Sequence, residues 1–152
     1  MIRKTVPDDQ EALFSIIRES GQFDEAGMAH VAQTFQEYVD GESEGLWFTA
    51  DDGEPVGVAY CAPEPVTSGT WNLLMLWVRS GQERHGHGSA LVANVEEALA
   101  ERGARLLIVE TSGLPEFETA RNFYAKAGFT QEARVRDFFE AGDDKLIYTK
   151  SM

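Results

Sequence analysis

Val78-Arg-Ser-Gly-Gln-Glu-Arg-His-Gly-His-Gly88 is the stretch that decides the fold. It follows an apolar run over residues 70–78 and opens a helical pattern, so Gly86 and Gly88 stand between a strand and a helix. Free N–H groups at a helix start lie at the positive end of its dipole and bind phosphate oxygens. Glycine is favoured because a Cβ would keep phosphates from the backbone and because the turn can require positive φ. The stretch therefore predicts an anion site, with a simple turn as the alternative.

Hydrophobic periodicity on both sides of this stretch predicts seven strands and four helices. The strands are residues 2–6, 46–50, 55–61, 70–78, 105–111, 129–139 and 145–150, and the helices are residues 10–20, 24–39, 88–102 and 116–127. Asp8 and Asp9 are predicted to cap the first helix. The order β-α-α-β-β-β-α-β-α-β-β predicts an α/β (α+β) fold with a mixed sheet and helices on both faces.

The size of the chain indicates one domain. With 152 residues and 43% hydrophobic content it can bury one core, and it is too short for two ordinary domains. We therefore expect a single domain over residues 1–152. No apolar run approaches the roughly 20 residues of a membrane span, and the N-terminus does not lead into a secretory signal. We expect a soluble, cytoplasmic protein that binds no membrane.

The net charge of −13 argues against nucleic-acid binding, because phosphate contacts need a basic face. Residues 1–70 carry 3 Lys/Arg and 14 Asp/Glu, a balance of −11, whereas residues 71–152 carry 10 and 12, a balance of −2. The acidic first half is either a solvated surface or a field that attracts a cationic substrate.

The sequence offers little for metal or redox chemistry. Cys61 is the only cysteine, so no intramolecular disulfide and no Cys-based zinc site can form, and its apolar strand predicts a buried thiol. His85 and His87 flank one glycine and do not make a metal pair without further ligands. We expect no metal.

A dinucleotide-binding fold is one competitor for the glycine stretch. The sequence motif of that fold has a glycine pair before a helix and an acidic residue at the end of the next strand. This chain has a similar arrangement, with Gly86-x-Gly88, a helix and then Glu110. However, Leu91 replaces the third glycine, the glycines come seven residues after the strand, and two helices lie near the N-terminus. These features disfavour it.

A second motif, Ala120-Arg-Asn-Phe-Tyr-Ala-Lys-Ala-Gly-Phe129, follows the glycines by about 30 residues. Together with the eight-residue separation of Val78 and Gly86, it resembles the GCN5-related N-acetyltransferase (GNAT) family, over nearly the whole chain. The resemblance implies a mixed, mostly antiparallel seven-stranded sheet that splits between strands 70–78 and 105–111. It also implies an acyl-CoA-dependent N-acyltransferase, with acetyl-CoA as co-substrate and no metal.

The resemblance further implies where the cofactor binds. The pantetheine arm would pair like an added strand with backbone near the end of the fourth strand, and the pyrophosphate would sit on amides of residues 84–89. The cofactor-binding residues implied in this way are Leu76, Trp77, Val78, Arg84, His85, Gly86, His87, Gly88, Ser89 and Phe123.

In the expected reaction an amine attacks the thioester directly, and a backbone N–H near Val78 stabilises the oxyanion. The departing thiolate needs a proton. A phenol with a pKa near 10 stays protonated at neutral pH, and the family's usual general acid is the tyrosine at the position of Tyr124. The alternative for Tyr124 is an aromatic that only packs beside Phe123.

The proton acceptor is less clear, because this sequence departs from the family pattern. Glu83 replaces the first Arg or Gln of the glycine motif, and Asn72 stands where some members carry a glutamate base. Glu110, at the end of the strand across the split, is the first candidate base, and Glu116 or a water chain comes next. Glu110 can equally be structural, and an amine that arrives neutral would need no base.

The acceptor is expected to be a small-molecule or peptide amine, with a cationic small molecule favoured by the acidic first half. Residues 110–118 lie where the family lines its acceptor pocket, and Asp137-Phe-Phe-Glu-Ala-Gly-Asp-Asp-Lys145 is similar to a stretch of a bacterial subgroup or is only a polar hairpin turn. A non-catalytic acyl-CoA-binding module is the alternative function, which Asn72 favours and Tyr124 opposes. A homodimer is one alternative to a monomer.

Overall fold

The computed structural model describes the whole chain, Met1–Met152. It contains seven strands and four α-helices in the predicted order, most within two residues of their predicted ends. The strands are β1 (Ile2–Lys4), β2 (Leu46–Asp51), β3 (Pro55–Pro63), β4 (Thr70–Val78), β5 (Leu106–Ser112), β6 (Thr130–Glu140) and β7 (Asp143–Ser151), and the helices are α1 (Gln10–Glu19), α2 (Glu25–Val39), α3 (His87–Ala100) and α4 (Glu118–Lys126). None of these helices has the length and apolar character needed to cross a bilayer.

The strands form one sheet in the order β1-β2-β3-β4-β5-β7-β6. Every neighbouring pair is antiparallel except β4 and β5, which are parallel. This confirms the mixed, mostly antiparallel seven-stranded sheet that the resemblance implied.

The sheet splits between β4 and β5. The two strands pair from Thr70 opposite Leu106 to Leu73 opposite Val109, and the pairing then stops although both strands continue. At the same place the β3–β4 register shifts and leaves Leu74 without a partner, as in a β-bulge. A bulge bends its strand, so β4 turns away from β5 and the split opens beyond Leu73.

Apolar clusters cover both faces of the sheet. One face packs against α1 and α2 through fully buried residues such as Leu13, Ile17 and Phe35. The other packs against α3 and α4 through residues such as Leu91 and Leu99. Truncating any of the buried leucines to alanine would cost about 2–5 kcal/mol, so both layers hold the sheet, and with it the split, in place.

The predicted capping role of Asp9 for the first helix is wrong. Its carboxylate makes no side-chain hydrogen bond to the start of α1. It accepts instead from the Val6 N–H at 2.9 Å, across the 3-10 turn Pro7–Asp9, and from the Arg3 guanidinium at 2.8 and 2.9 Å. The 3-10 turn precedes α1 and carries Asp9 inward, so the carboxylate reaches β1 rather than the helix.

Candidate active site

Two cavities meet in the split between β4 and β5. The loop cavity, about 660 Å³, lies between the end of β4, the 79–86 loop and the starts of α3 and α4. The hairpin cavity, about 490 Å³, lies between β4, β5 and the β6–β7 hairpin. The residues that line both are Gln22, Leu76, Trp77, Phe117, Ala120 and Tyr124. A ligand in one cavity can therefore reach a ligand in the other at this junction.

The start of α3 supplies hydrogen-bond donors to the loop cavity. The first N–H to bond within the helix is that of Ala90, which donates to the Gly86 carbonyl at 3.0 Å. The N–H groups of His87, Gly88 and Ser89 have no acceptor within the helix, and these residues line the cavity. Their position at the positive end of the helix dipole favours an anion.

The two glycines serve different purposes. Gly86 has φ +80 and a Cβ there would meet nothing within 4 Å, so glycine is required by the left-handed backbone. Gly88 has no such φ, but a Cβ there would lie 3.5 Å from the ring of Phe123, which lines the same cavity. Glycine at 88 leaves that space open to a ligand beside the helix amides.

The charged side chains of the loop lie in different directions. Arg84 lines the loop cavity, whereas His85 is exposed and does not. Glu83 turns back to accept from the Gly81 N–H at 2.7 Å, and Arg79 approaches Glu19 of α1 at 4.0 Å. The loop thus presents the Arg84 guanidinium to the cavity, whereas the Arg79 guanidinium lies toward α1.

The end of β4 presents a free edge to the loop cavity. Leu76, Trp77 and Val78 pair with β3 on one side, and no strand pairs with them on the other. All three line the cavity. The buried Nε1 of Trp77 and Nε2 of His87 have no hydrogen-bond partner within the protein. An extended ligand with polar atoms could pair along this edge.

Tyr124 lies at the junction of the two cavities. It is 8% exposed, and its ring packs near Phe123, Phe129 and Tyr148 at centroid separations of 5.3, 5.7 and 6.4 Å. Burial raises the pKa of the Tyr124 phenol above its ordinary value. The hydroxyl therefore stays protonated at neutral pH and can donate a proton to a group at the junction.

Every charged residue that lines the hairpin cavity is acidic. They are Glu110, Glu140 and Asp143, and the remaining walls are mostly apolar. All three belong to the second half of the chain, while the acidic first half contributes only Gln22 and Phe23 to this cavity. The overall charge balance therefore did not locate the carboxylates that line this cavity.

The candidate bases occupy different places. Glu110 lines the hairpin cavity and forms an ion pair with Lys145 at 2.9 Å, and Glu116 lines the loop cavity. Asn72 lies outside both cavities, 5% exposed in the paired part of β4, where its Nδ2 donates to Glu64 at 2.9 Å. Among the candidates, only Glu110 lines the hairpin cavity.

Some residues that line the cavities could not be predicted from local sequence patterns. Gln22 and Phe23 belong to the loop between α1 and α2, which periodicity does not describe, yet Phe23 packs edge-to-face on Trp77 at 6.3 Å. Phe139, Glu140 and Asp143 lie in the hairpin, where a motif was visible but its position against β5 was not. No group of three or more His, Cys, Asp and Glu side chains is arranged to hold a metal ion.

Comparison with known proteins agrees with this geometry. A family model described as the acetyltransferase (GNAT) family matches residues 10–129. A crystal structure from Desulfovibrio desulfuricans, of a protein assigned to the GNAT family of acetyltransferases, superposes with a TM-score of 0.91 at 30% identity, covering 99% of this chain and 98% of that one. No curated protein matches the sequence.

More distant structures share the fold alone. An aminoglycoside 6'-N-acetyltransferase complexed with coenzyme A has a TM-score of 0.81 at 17% identity, with 99% of this chain and 96% of that chain covered. A ribosomal-protein-alanine N-acetyltransferase from Brucella melitensis has a TM-score of 0.80 at 21% identity, with 100% and 99% covered.

Proposed function

The chain belongs to the acetyltransferase (GNAT) family, and from this membership we propose that it transfers the acetyl group of acetyl-CoA to a primary amine by direct attack on the thioester. The observation that carries the proposal is the meeting of the two cavities at Tyr124. One cavity would hold the acyl donor and the other the acceptor. We take residues 1–152 as a single catalytic domain.

Acetyl-CoA fits the chemistry of the loop cavity. The free N–H groups of His87, Gly88 and Ser89, with Arg84 beside them, suit a pyrophosphate. The space that a Cβ on Gly88 would fill lets phosphate oxygens reach the amides. A structural neighbour crystallised with coenzyme A supports the same ligand.

The pantetheine arm would lie along the free edge of β4. Its amides could pair with the backbone of residues 76–78 like an added strand, so the identity of these side chains would matter little. The indole N–H of Trp77, which has no hydrogen-bond partner within the protein, is a further donor. This placement would bring the thioester toward the junction.

The chemical step needs three groups. The amine nitrogen forms a bond to the thioester carbon, and a backbone N–H near Val78 stabilises the oxyanion. The C–S bond then breaks, and Tyr124 donates its proton to the sulfur. Glu110 accepts the proton that the amine nitrogen loses, and solvent restores both groups.

The acceptor would occupy the hairpin cavity. Apolar walls and the carboxylates of Glu110, Glu140 and Asp143 suit a cationic amine with an apolar stem. Two similar structures are named for acceptors with amines, one a small molecule and one a ribosomal protein. We favour the small molecule, because the cavity volume of about 490 Å³ lies within the usual range of small-molecule sites.

The proposal is tested by incubating the protein with acetyl-CoA and amines that include diamines, polyamines, amino sugars and peptides. Release of free thiol is followed for the wild type and for Tyr124→Phe. We expect turnover on at least one amine that depends on Tyr124. Thermal stabilisation by coenzyme A without turnover on any amine would instead favour a binding module. Stabilisation by a nicotinamide nucleotide but not by coenzyme A would contradict the placement of the cofactor.

A further inference from the structure

The hairpin segment, residues 137–145, joins β6 to β7 and closes one side of the hairpin cavity. Three of its residues, Phe139, Glu140 and Asp143, line that cavity. The segment begins at Asp137, whose φ of 54 lies in the left-handed region, and the β6–β7 register is interrupted between Val135 and Glu140. Its shape therefore departs from a regular two-residue hairpin.

Hydrogen bonds to acidic side chains stabilise this irregular shape. Asp137 Oδ1 accepts from the Gly142 N–H at 2.8 Å, and Asp144 accepts from the Asp137 N–H at 3.0 Å and from Arg134. Asp143 is hydrogen-bonded to Ser112 of β5. These bonds hold the segment against the end of β5, which is where Glu110 lies.

Lys145 is the last residue of the segment and the one that contacts Glu110. In the β5–β7 pairing it lies opposite Ser112, so it shares a face of the sheet with Glu110 two residues away. Its Nζ is 2.9 Å from Glu110 Oε2 and 4.2 Å from the centroid of the Phe138 ring. The ammonium is thus held between a carboxylate and an aromatic face, and its side chain is 17% exposed.

We propose that Lys145, held over Phe138, is the positioning residue that orients Glu110 for the acceptor amine. This inference rests on the proposed function. The ion pair engages Oε2 and so fixes the carboxylate, leaving Oε1 to accept the proton that the amine loses as its lone pair forms the C–N bond.

The charged and titratable groups that share the hairpin cavity with Glu110 are Asp143 of β7, Glu140 of β6 and Tyr124 of α4. Lys145 is the cation in contact with the Glu110 carboxylate. Removal of this cation should therefore release the carboxylate from its fixed orientation.

The test compares Lys145→Met, Lys145→Arg and the control Lys150→Met. Lys150 is also a β7 lysine in an ion pair, with Glu96 at 2.6 Å, and it lines neither cavity. The values of kcat and KM for the best amine, the KM for acetyl-CoA and the melting temperature are measured for each. Phe138→Leu is included as a milder variant, because this side chain is 51% exposed and its loss should not prevent folding.

We expect Lys145→Met to lower kcat about tenfold or more, since general base catalysis contributes roughly 10²–10⁴-fold. The KM for acetyl-CoA should not change, and Lys145→Arg should restore most of kcat because its guanidinium can pair with the same carboxylate. Phe138→Leu should lower kcat about two- to fivefold, the range of one exposed cation–π contact. Lys150→Met should leave kcat unchanged.

The opposing outcomes are distinct. A kcat that Lys145→Met and Phe138→Leu both leave unchanged, with only the melting temperature lowered, would show a purely structural ion pair and overturn the inference alone. A wild type that turns over no amine would overturn the proposed function and this inference with it.

Discussion

Gly88 and Phe123 face each other across the loop cavity, and a Cβ on Gly88 would lie 3.5 Å from two carbons of the Phe123 ring. Gly88 lies in the first turn of α3, and Phe123 belongs to the motif of residues 120–129, so the two motifs of the sequence meet at this contact. A cofactor would approach the amides of α3 beside this contact.

Gly88→Ala should weaken coenzyme A binding without destabilising the folded protein. Alanine favours a helix over glycine by about 0.5–1 kcal/mol, and the modest contact with Phe123 does not forbid it, so the free protein should be as stable or slightly more stable. Coenzyme A should bind about tenfold or more weakly, because hydrogen bonds to a charged group are worth roughly 1.5–3 kcal/mol. Calorimetric titration and thermal melting measure the two effects. An unchanged affinity for coenzyme A would contradict the placement of the pyrophosphate beside Gly88.

Gly86→Ala should affect both stability and binding, and Gly103→Ala is its matched control. Both glycines have positive φ, +80 and +71, and a Cβ at either meets nothing within 4 Å. Each substitution should therefore cost about 1–2 kcal/mol of unfolding free energy from backbone strain. Only Gly86→Ala should also weaken coenzyme A, because Gly103 lies at the far end of α3. Equal effects on affinity would argue against a specific role for Gly86.

Tyr124→Phe should lower kcat by about 10²-fold, within the range of general acid catalysis, with little change in the KM for acetyl-CoA. Tyr148→Phe is the control, since that ring is 7% exposed, packs beside Tyr124 and lines neither cavity. Because burial raises the pKa of the Tyr124 phenol, the acid stays protonated and wild-type kcat should not fall between pH 7 and 9. A full rate in Tyr124→Phe would exclude this tyrosine as the acid.

The ion pair of Asp9 with Arg3 should make the free energy of unfolding depend on pH. Burial disfavours the ionised carboxylate, but hydrogen bonds from Arg3, the Val6 N–H and Thr49 outweigh it and lower the pKa of Asp9 below its ordinary 3.8. The contribution is therefore complete above about pH 4 and is lost as the pH falls through the lower folded value.

Asp9→Asn should lower the free energy of unfolding by about 2 kcal/mol at pH 7, and the difference from the wild type should shrink below pH 4. Denaturant melts at a series of pH values measure it. Asp8→Asn, at the exposed neighbouring carboxylate, should have little effect at any pH. A pH-independent loss in Asp9→Asn would point to lost packing rather than lost charge.

Cys61 should not react with thiol reagents in the folded protein. It is fully buried in β3, and burial raises the pKa of its thiol to about 12. Only about one molecule in 10⁴ would then be a thiolate at pH 8. Ellman's reagent should label none of the native protein and one thiol per chain in denaturant, so thiol-release assays would report coenzyme A alone. Rapid labelling of the native protein would contradict this burial.

Local patterns in the sequence are sufficient to predict much of this molecule. The elements and their order follow from hydrophobic periods and glycine positions, since these depend on residues close in the chain. The two motifs carry the resemblance to the family, and that resemblance implied the mostly antiparallel sheet and its split between β4 and β5. The roles assigned to the cofactor residues and to Tyr124 stay predictions. His85, one of these residues, does not line the loop cavity, because the direction of a side chain in an irregular loop has no period to predict it.

The acceptor side depends on tertiary structure. Glu110 and Lys145 are 35 residues apart in the chain and meet only because β7 inserts between β5 and β6 in the sheet. The overall charge balance pointed to the acidic first half, whereas strand order brings Glu110, Glu140 and Asp143 to one cavity. Periodicity describes which face a residue occupies within its own element. The contacts between elements that build the hairpin cavity arise only when the sheet is assembled.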